Sequence, residues 1–377
     1  MVRKSLSIGL IGSGFIARCH VFGYRQMPVA FPGVAAVPRL EIVSDVTTDL
    51  AERAADQFGF ARSTSDWRKV VSDPKVDIVD ICVPSQLHRE IALAAIAAGK
   101  IVYCEKPVGL SSAQAREMGL AAQAAGLKSL VGFTYMRNPL MRLAAEIVAD
   151  GTIGDVVSFA GVHNEDYMSD PDAPFSWRCD ASIAGKAGAL GDLGCHIISI
   201  ARMLTGEIAE VNCDLRTVYK RRKLPDGKLR EVENEDEANA LIHFKSGARG
   251  TIASSRIATG AKMRVGFDLV GTKGALRFDG ERLGELQLYT RDGDGGRWGF
   301  KTIYAAPSHL PGGVLLPGPA HGISFNDLKT IEIRDLMQLA LGEANPGPDL
   351  QDAARIGAIV DAMLESGASR EWVKPQF

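Results

Sequence analysis

The sequence has no excess of charge, no paired-cysteine motif and no long apolar run, and each lack removes a class of function. Its 377 residues carry 43 Lys and Arg against 45 Asp and Glu, a formal charge of −2 at pH 7. A chain so balanced has no field to draw nucleic acid or an anionic membrane, which leaves a small neutral molecule as the simplest partner. The six cysteines, at positions 19, 82, 104, 179, 195 and 213, form no Cys-x-x-Cys pair. Their scatter argues against a zinc site and suits reduced thiols, so no metal is expected. Residues 1–9 contain no apolar signal core and no later run is long enough to span a bilayer, so a cytoplasmic protein is expected. The length calls for two domains, each able to bury its own core.

Residues 7–11 read as a short buried strand that runs into Gly12-Ser13-Gly14-Phe15-Ile16-Ala17, which opens a helical pattern to about residue 26. Strand, glycine-rich turn and helix in this order are a dinucleotide fingerprint. Gly12 permits the tight turn, Gly14 lets the backbone approach a pyrophosphate, and Ala17 lets helix and strand pack closely. Phe15 and Ile16 lie at the helix N-terminus that faces the phosphates. Asp45 closes the second strand, at 40–45, farther from Gly12 than the usual spacing of about 20. The excess is assigned to an inserted loop at 28–38, whose prolines and glycine break both periodicities. A carboxylate there accepts hydrogen bonds from ribose hydroxyls and repels a 2′-phosphate, which favours NAD; Arg53 nearby leaves NADP open.

Strand and helix patterns then alternate: helices at 49–58, 65–71, 86–98 and 111–125, strands at 76–83, 100–104 and 128–132. This order specifies an α/β domain over 1–150, a Rossmann-type doubly wound parallel sheet. Ligands of such sheets lie beyond the carboxyl ends of the strands. Those ends here are Gly12, Asp45, Val83-Pro84 and Glu105-Lys106.

Further on, the stretch 188–196 sets Asp192 and His196 one helical turn apart, bordering an apolar stripe of Leu193, Ile197, Ile200 and Leu204. Taken alone, that spacing is more often structural than catalytic. From about 151 to 377 the pattern becomes strands at 155–162, 208–218, 237–244, 248–255, 264–271 and 274–279, an α+β domain with a large, mostly antiparallel open sheet. The Asp192/His196 helix covers one face. The other face has no second layer of helices, so a homo-oligomer, dimer or tetramer, is expected through this sheet. The loop 306–322 borders the cleft, and its His321 is either near substrate or an ordinary surface histidine. Closing helices at 324–341 and 350–365 are divided by Asn345-Pro346-Gly347-Pro348 and are free to pack back between the domains. The basic run Lys220-Arg221-Arg222-Lys223 reads as a solvated hairpin end balanced by acidic 231–237.

Four stretches together resemble the Gfo/Idh/MocA family of pyranose and inositol oxidoreductases over nearly the whole length. They are Gly12 to Ala17, Val83-Pro84-Ser85-Gln86-Leu87-His88, Glu105-Lys106-Pro107 and Gly191-Asp192-Leu193-Gly194-Cys195-His196. The resemblance implies that Val83, Pro84, His88 and Glu105 line the nicotinamide and its ribose. It also implies that Lys106 stands on the cofactor side before a cis peptide at Pro107, and that Asp192 and His196 reach it from the second domain. Val162-His163-Asn164-Glu165-Asp166-Tyr167 and Phe175-Ser176-Trp177-Arg178 look most like the levoglucosan and inositol type. Where many members carry Gly-Gly-Gly, this chain has Gly185-Lys186-Ala187-Gly188-Ala189.

Oxidation of a secondary alcohol needs a base for the hydroxyl proton, a group to stabilise the alkoxide and a fixed C–H direction. The expected roles are His196 as base, Asp192 to orient it and Lys106 to hold the reacting hydroxyl. His163, Asn164, Tyr167, Trp177 and Arg178 join these three in binding substrate. His163, Glu165 and Asp166 lack a fourth ligand and read as substrate contacts rather than a metal centre. Two alternatives stand: an NAD-dependent glycosidase with no net redox change, and a cofactor-binding sensor without catalysis.

Overall fold

A computed structural model describes residues 3–291, 293–343 and 347–377. The chain forms two compact units. The first comprises Met1–Gly109, Ala113–Arg137 and Ser324–Ala354; the second comprises Leu110–Ser112, Asn138–Ile323 and Arg355–Phe377.

In the first unit, six strands form a sheet in the order β3-β2-β1-β4-β5-β6. They are β1 (Lys4–Ile11), β2 (Ala36–Ser44), β3 (Arg62–Thr64), β4 (Ile78–Ile81), β5 (Ile101–Cys104) and β6 (Ser129–Val131), and each adjacent pair is parallel. The strand order reverses between β1 and β4, which is where a doubly wound sheet opens a ligand crevice. Leu10, Ala17, Val21, Val43, Phe58 and Phe60 build one core layer beside β1, with Ala17 fully buried as its small size allows.

The expected loop at 28–38 is much shorter in the structure. The helix Phe15–Ala30 runs through Pro28 in its last turn, and β2 already begins at Ala36. A proline that late in a helix removes only one hydrogen bond, so the helix continues past it.

The helix Phe325–Ala340, started by a capping box between Ser324 and Asp327, belongs to this first unit. It crosses Phe15–Ala30 at Gly23, where a Cβ would lie 2.9 Å from Ile333 Cγ1. Of the expected divider after it, Asn345 and Pro346 lie outside the described residues.

In the second unit, an eight-stranded sheet runs β16-β15-β14-β13-β7-β12-β11-β8. The strands are β7 (Val156–Asn164), β8 (Ile208–Arg216), β11 (Glu237–Phe244), β12 (Arg249–Ser255), β13 (Arg264–Gly271), β14 (Gly274–Asp279), β15 (Glu285–Thr290) and β16 (Lys301–Tyr304). Only β7 with β12 is parallel. The helix Cys195–Thr205 covers one face and leans on β7 at Gly161, where a Cβ would come within 2.6 Å of Ile197. The other face presents Ala160, Asn239, Leu241, Thr251, Asp268 and Val270 to solvent.

The chain passes from the first unit to the second between Arg137 and Asn138. The helix Pro139–Ala149, capped by Asn138, packs on Cys195–Thr205 and on β15.

A separate hairpin pairs β9 (Arg221–Lys223) with β10 (Leu229–Glu231). The basic run there is not wholly solvated. Arg222 is 1% exposed and donates to the carbonyls of Met168, Asp170 and Ala173. Its position on the inner side of a three-residue strand, between outward Arg221 and Lys223, explains the difference: strand alternation turns every second residue inward.

Candidate active site

The first unit carries the elements of a dinucleotide site. Gly14 is the N-cap of Phe15–Ala30 and no side chain caps that end, so the first-turn amides are left to an outside acceptor. The two glycines of the turn serve different ends. Gly12 has φ +93° and a Cβ there would sit 2.5 Å from the Cys82 carbonyl oxygen; a Cβ on Gly14 would meet nothing within 4 Å. Gly12 is therefore needed by the fold, and Gly14 leaves open backbone surface of the kind a pyrophosphate needs. Phe15 is 72% exposed beside it, while Ile16 packs against the core.

Asp45 closes β2 as expected. Its Oδ2 accepts the Ser13 amide at 3.0 Å and the Ser13 hydroxyl, and Oδ1 accepts the Val46 amide at 2.7 Å. The carboxylate is thus tied to the glycine-rich turn. Arg53 pairs with Asp49 instead of facing Asp45. The donor set fits NAD: open amides suited to phosphates, and an acid at the end of the second strand suited to ribose hydroxyls.

At the ends of β4 and β5, Val83 is partly buried and Pro84 exposed. His88 is buried, its ring spanning the Val83 carbonyl at 2.7 Å and the Pro107 carbonyl at 2.9 Å. Burial pushes its pKa down against the raising effect of those carbonyls. Glu105 is buried as well, so His88 and Glu105 lie behind the surface that Val83, Pro84 and Lys106 present. The Lys106–Pro107 peptide is cis.

Glu105 sits in a sealed polar network. Its Oε1 accepts His20 Nε2 at 2.9 Å and Lys329 Nζ, and its Oε2 accepts the Lys106 amide at 3.1 Å. Burial would raise its pKa, but Lys329 and His20 outweigh it and hold the carboxyl far below the usual range. Gly132 makes the room. A Cβ there would lie 2.3 Å from Glu105 Oε1, although its φ is not in the positive region. His20, Lys329 and Gly132 were not singled out from sequence. His20 stands three positions after Ala17 in the fingerprint helix, and an apolar-looking helix face is a poor advertisement for a charge.

The second unit carries the Asp192/His196 stretch. The chain there is not a simple α-helix: Leu190–Gly194 forms a π-helical turn, followed by the α-helix Cys195–Thr205. The wider turn redirects Asp192 relative to an ideal one-turn pair, a distortion common at functional sites. Its start is held by Glu235, whose carboxylate accepts the amides of Gly188 and Leu190, each at 2.8 Å. Burial holds Glu235 above the ordinary carboxylate range despite those bonds. Gly188 must be glycine, since a Cβ would come within 2.1 Å of the Glu235 carbonyl oxygen. Glu235 is another residue missed from sequence, hidden in an acidic run whose exposed members mask it.

Asp192 Oδ2 accepts the Tyr167 hydroxyl at 2.7 Å and Arg178 Nε at 3.1 Å. Arg178 lies over the Trp177 ring at 4.5 Å, and its carbonyl is held by Asn234 Nδ2 at 2.8 Å and Arg256 Nη1 at 3.3 Å. Tyr167 remains 43% exposed, yet desolvation and then Asp192 hold its phenol well above the ordinary range. His196 is buried, with the His163 ring 5.5 Å away and tilted.

His163 itself is 0% exposed, its nitrogens on the Leu193 carbonyl at 2.9 Å and on Glu165 at 3.2 Å. Its contact with the Leu193 carbonyl braces the π-helical turn. Asn164 Oδ1 is a buried acceptor with no hydrogen-bond partner among the described residues. Asp166 is taken up by Lys262 and the Gly260 amide, and His321 is exposed, its Nδ1 against the Pro319 carbonyl.

Two family models match this chain. One, described as an oxidoreductase family with NAD-binding Rossmann fold, matches residues 6–133; the other, the GFO/IDH/MocA C-terminal domain, matches residues 141–277. Levoglucosan dehydrogenase of Pseudarthrobacter phenanthrenivorans is 37% identical over 98% of either chain. A solved levoglucosan dehydrogenase in complex with NADH and levoglucosan superposes with TM-score 0.96 at 38% identity, covering 99% of this chain and 100% of the other. An NAD-binding oxidoreductase from Klebsiella pneumoniae gives 0.93 at 40% identity, with the same coverage.

Proposed function

Because this chain belongs to the Gfo/Idh/MocA family of NAD-dependent oxidoreductases acting on CH–OH groups, we propose that it oxidises a secondary hydroxyl of an anhydrosugar of the levoglucosan type to the ketone. NAD, when bound, supplies the hydride acceptor; the amides after Gly14 and the Asp45 carboxylate would hold it. Lys106 holds the reacting hydroxyl and stabilises negative charge on its oxygen, and His196 takes the proton. Asp192 orients the exchange. The observation that carries this reading is the convergence of Tyr167 and Arg178 on one oxygen of Asp192. Residues from the two segments read for substrate choice and the proton-handling helix form one hydrogen-bonded group, as a dehydrogenase selective for a polyol requires. Asn164, whose buried Oδ1 has no hydrogen-bond partner among the described residues, is read as a further substrate contact. Trp177, 39% exposed beneath Arg178, offers the flat apolar surface that a sugar ring's C–H face prefers.

The test is a panel of levoglucosan, inositols and aldoses with NAD and NADP, read at the absorbance of reduced nicotinamide. NADH formed from levoglucosan in preference to the inositols is expected; no NADH from any anhydrosugar refutes the substrate class. His196→Ala should lower kcat by about two to four powers of ten, and a variant with wild-type turnover at every pH would remove His196 from the role of base. The exposed, helix-free face of the eight-stranded sheet is read as the surface of a homo-oligomer, and a monomer at all concentrations in sedimentation would refute it.

A further inference from the structure

We propose that His20 is a buried imidazolium, and that its two N–H bonds, one to Asp80 and one to Glu105, make it a positioning residue for the Lys106 corner. His20 is 0% exposed, its Nδ1 lies 2.9 Å from Asp80 Oδ2 and its Nε2 lies 2.9 Å from Glu105 Oε1. A neutral imidazole has one N–H, so one of these contacts would set a lone pair against a carboxylate unless an acid supplied the proton. Both acids already act as acceptors toward other donors. Glu105 accepts Lys329 Nζ on one oxygen and the Lys106 amide on the other. Asp80 accepts the Tyr24 hydroxyl at 2.9 Å on Oδ2 and the Cys82 thiol at 3.4 Å on Oδ1. With both carboxylates serving as acceptors, a hydrogen on each ring nitrogen gives both of these contacts a donor and an acceptor.

Charge balance agrees. Around this core the carboxylates of Asp80, Glu105, Glu332 and Asp335 meet the permanent cations Lys329, Arg137 and Arg334. A protonated His20 sets a positive charge between the buried carboxylates of Asp80 and Glu105, where an unpaired negative charge would be costly in a medium that screens poorly. Burial alone would push His20 down; Asp80 and Glu105 outweigh it and hold it above the ordinary histidine value. Every element packed around the ring contributes: Cys19 and Tyr24 from its own helix, Asp80 and Cys82 from the end of β4, Tyr103 stacked at 4.6 Å and Glu105 from β5, and Lys329 and Glu332 from Phe325–Ala340.

The consequence is mechanical. The helix that opens at the Gly12–Gly14 turn is locked through one ring to the ends of both β4 and β5, and Glu105, so locked, fixes the Lys106 amide. This positioning role rests on the reading of Lys106 as the residue that holds the reacting hydroxyl. His20 Nδ1, an Asp80 oxygen and Cys82 Sγ also lie close enough together to hold a metal ion. The thiol, however, is pushed well above its ordinary value by burial and then by Asp80, and the ring nitrogen is already at hydrogen-bond distance from the carboxylate. A proton fills the place that a metal would take.

The test uses intact enzyme with NAD and ring-¹⁵N-labelled histidine, the His20 signal being identified by its loss in His20→Gln. Both His20 nitrogens should report as protonated near pH 8, well above the ordinary histidine pKa of about 6.5. One bare nitrogen at that pH, or one metal per chain by elemental analysis, overturns the imidazolium. With levoglucosan as substrate, His20→Gln should lose about 10²-fold in kcat while NAD affinity is retained; wild-type kcat overturns the positioning role. If that variant does not fold, the wild-type enzyme still decides. As pH is raised, kcat should fall together with the imidazolium signal, and kcat that outlives the signal overturns the role. Absence of any turnover of levoglucosan by the wild type would refute the substrate reading and leave the nitrogen measurement standing.

Discussion

Removing the Glu235 carboxylate should loosen the turn that carries Asp192, and the loss can be graded. In Glu235→Ala the amides of Gly188 and Leu190, both buried, lose their acceptor. Each orphaned donor costs about 1–3 kcal/mol, so a loss of roughly 2–6 kcal/mol is expected. Glu235→Gln keeps one acceptor oxygen but turns an NH₂ toward the other amide, so about half that loss is expected, offset in part because a neutral amide is easier to bury. At about 2–4 °C per kcal/mol for a unit of this size, the alanine variant melts several degrees lower and the glutamine variant falls between it and wild type.

Thermal unfolding followed by circular dichroism measures the order, and kcat measured alongside should fall in the same order because Asp192 sits one turn beyond the amides. Glu231→Ala supplies the control: that side chain is exposed, pairs with Arg221 at the surface, and should cost about 0–1 kcal/mol. The pH dependence has a definite sign. Glu235 is held above the ordinary carboxylate value in the folded chain, so between the two values the folded state keeps a proton that the unfolded chain has released. Stability therefore falls as pH rises through that window, and Glu235→Gln should lack this part of the slope. If the alanine variant melted with wild type, or lost no more than Glu231→Ala, the capping role would be wrong.

Two further outcomes follow from the same structure. If Asp45 selects against a 2′-phosphate, Asp45→Ala should shift the NAD to NADP ratio of kcat/KM by about 1.5–3 kcal/mol, roughly 10- to 150-fold; an unchanged ratio would show that selection lies elsewhere. Arg222→Met leaves three loop carbonyls of residues 168–173 without their donor, and because Tyr167 adjoins that loop the change should raise KM for levoglucosan more than it lowers kcat. A variant in which kcat alone falls would separate the hairpin from substrate binding.

How much of this was legible in the sequence depended on whether a property repeats locally. β1, Gly12 to Ala17 and Asp45 declare themselves through period, turn chemistry and order, and the six-stranded sheet has the arrangement such patterns specify. Strands β11, β13 and β14 were bounded correctly because their alternation is clean. The spacing within 188–196 is too weak alone to mark chemistry, and the expected roles there and on the strand ends rest on the resemblance of four stretches taken together. What escaped was long-range. His20, Lys329 and Glu235 act through partners 85, 224 and 47 residues away, and nothing near each in the chain reveals the charge it will face. Arg222 was misread because a run of four basic residues looks uniform until strand alternation divides it. The 28–38 loop is shorter than its prolines suggest because Pro28 falls where a helix tolerates one.

Gly132 bears on how this enzyme can be re-engineered. Its backbone would accept alanine, since φ is not positive there, and a survey of backbone angles would mark it as an opportunity to stiffen the unfolded chain. The volume says otherwise: the methyl carbon would occupy the place of the Glu105 carboxylate. Gly33 and Gly299, whose angles are likewise ordinary and whose surroundings are empty within 4 Å, are the positions where such a change should raise stability, by about 0.4–1 kcal/mol each. A stabilisation campaign guided by torsion angles alone would thus disable the lysine corner at one glycine and succeed at its neighbours in the same candidate set.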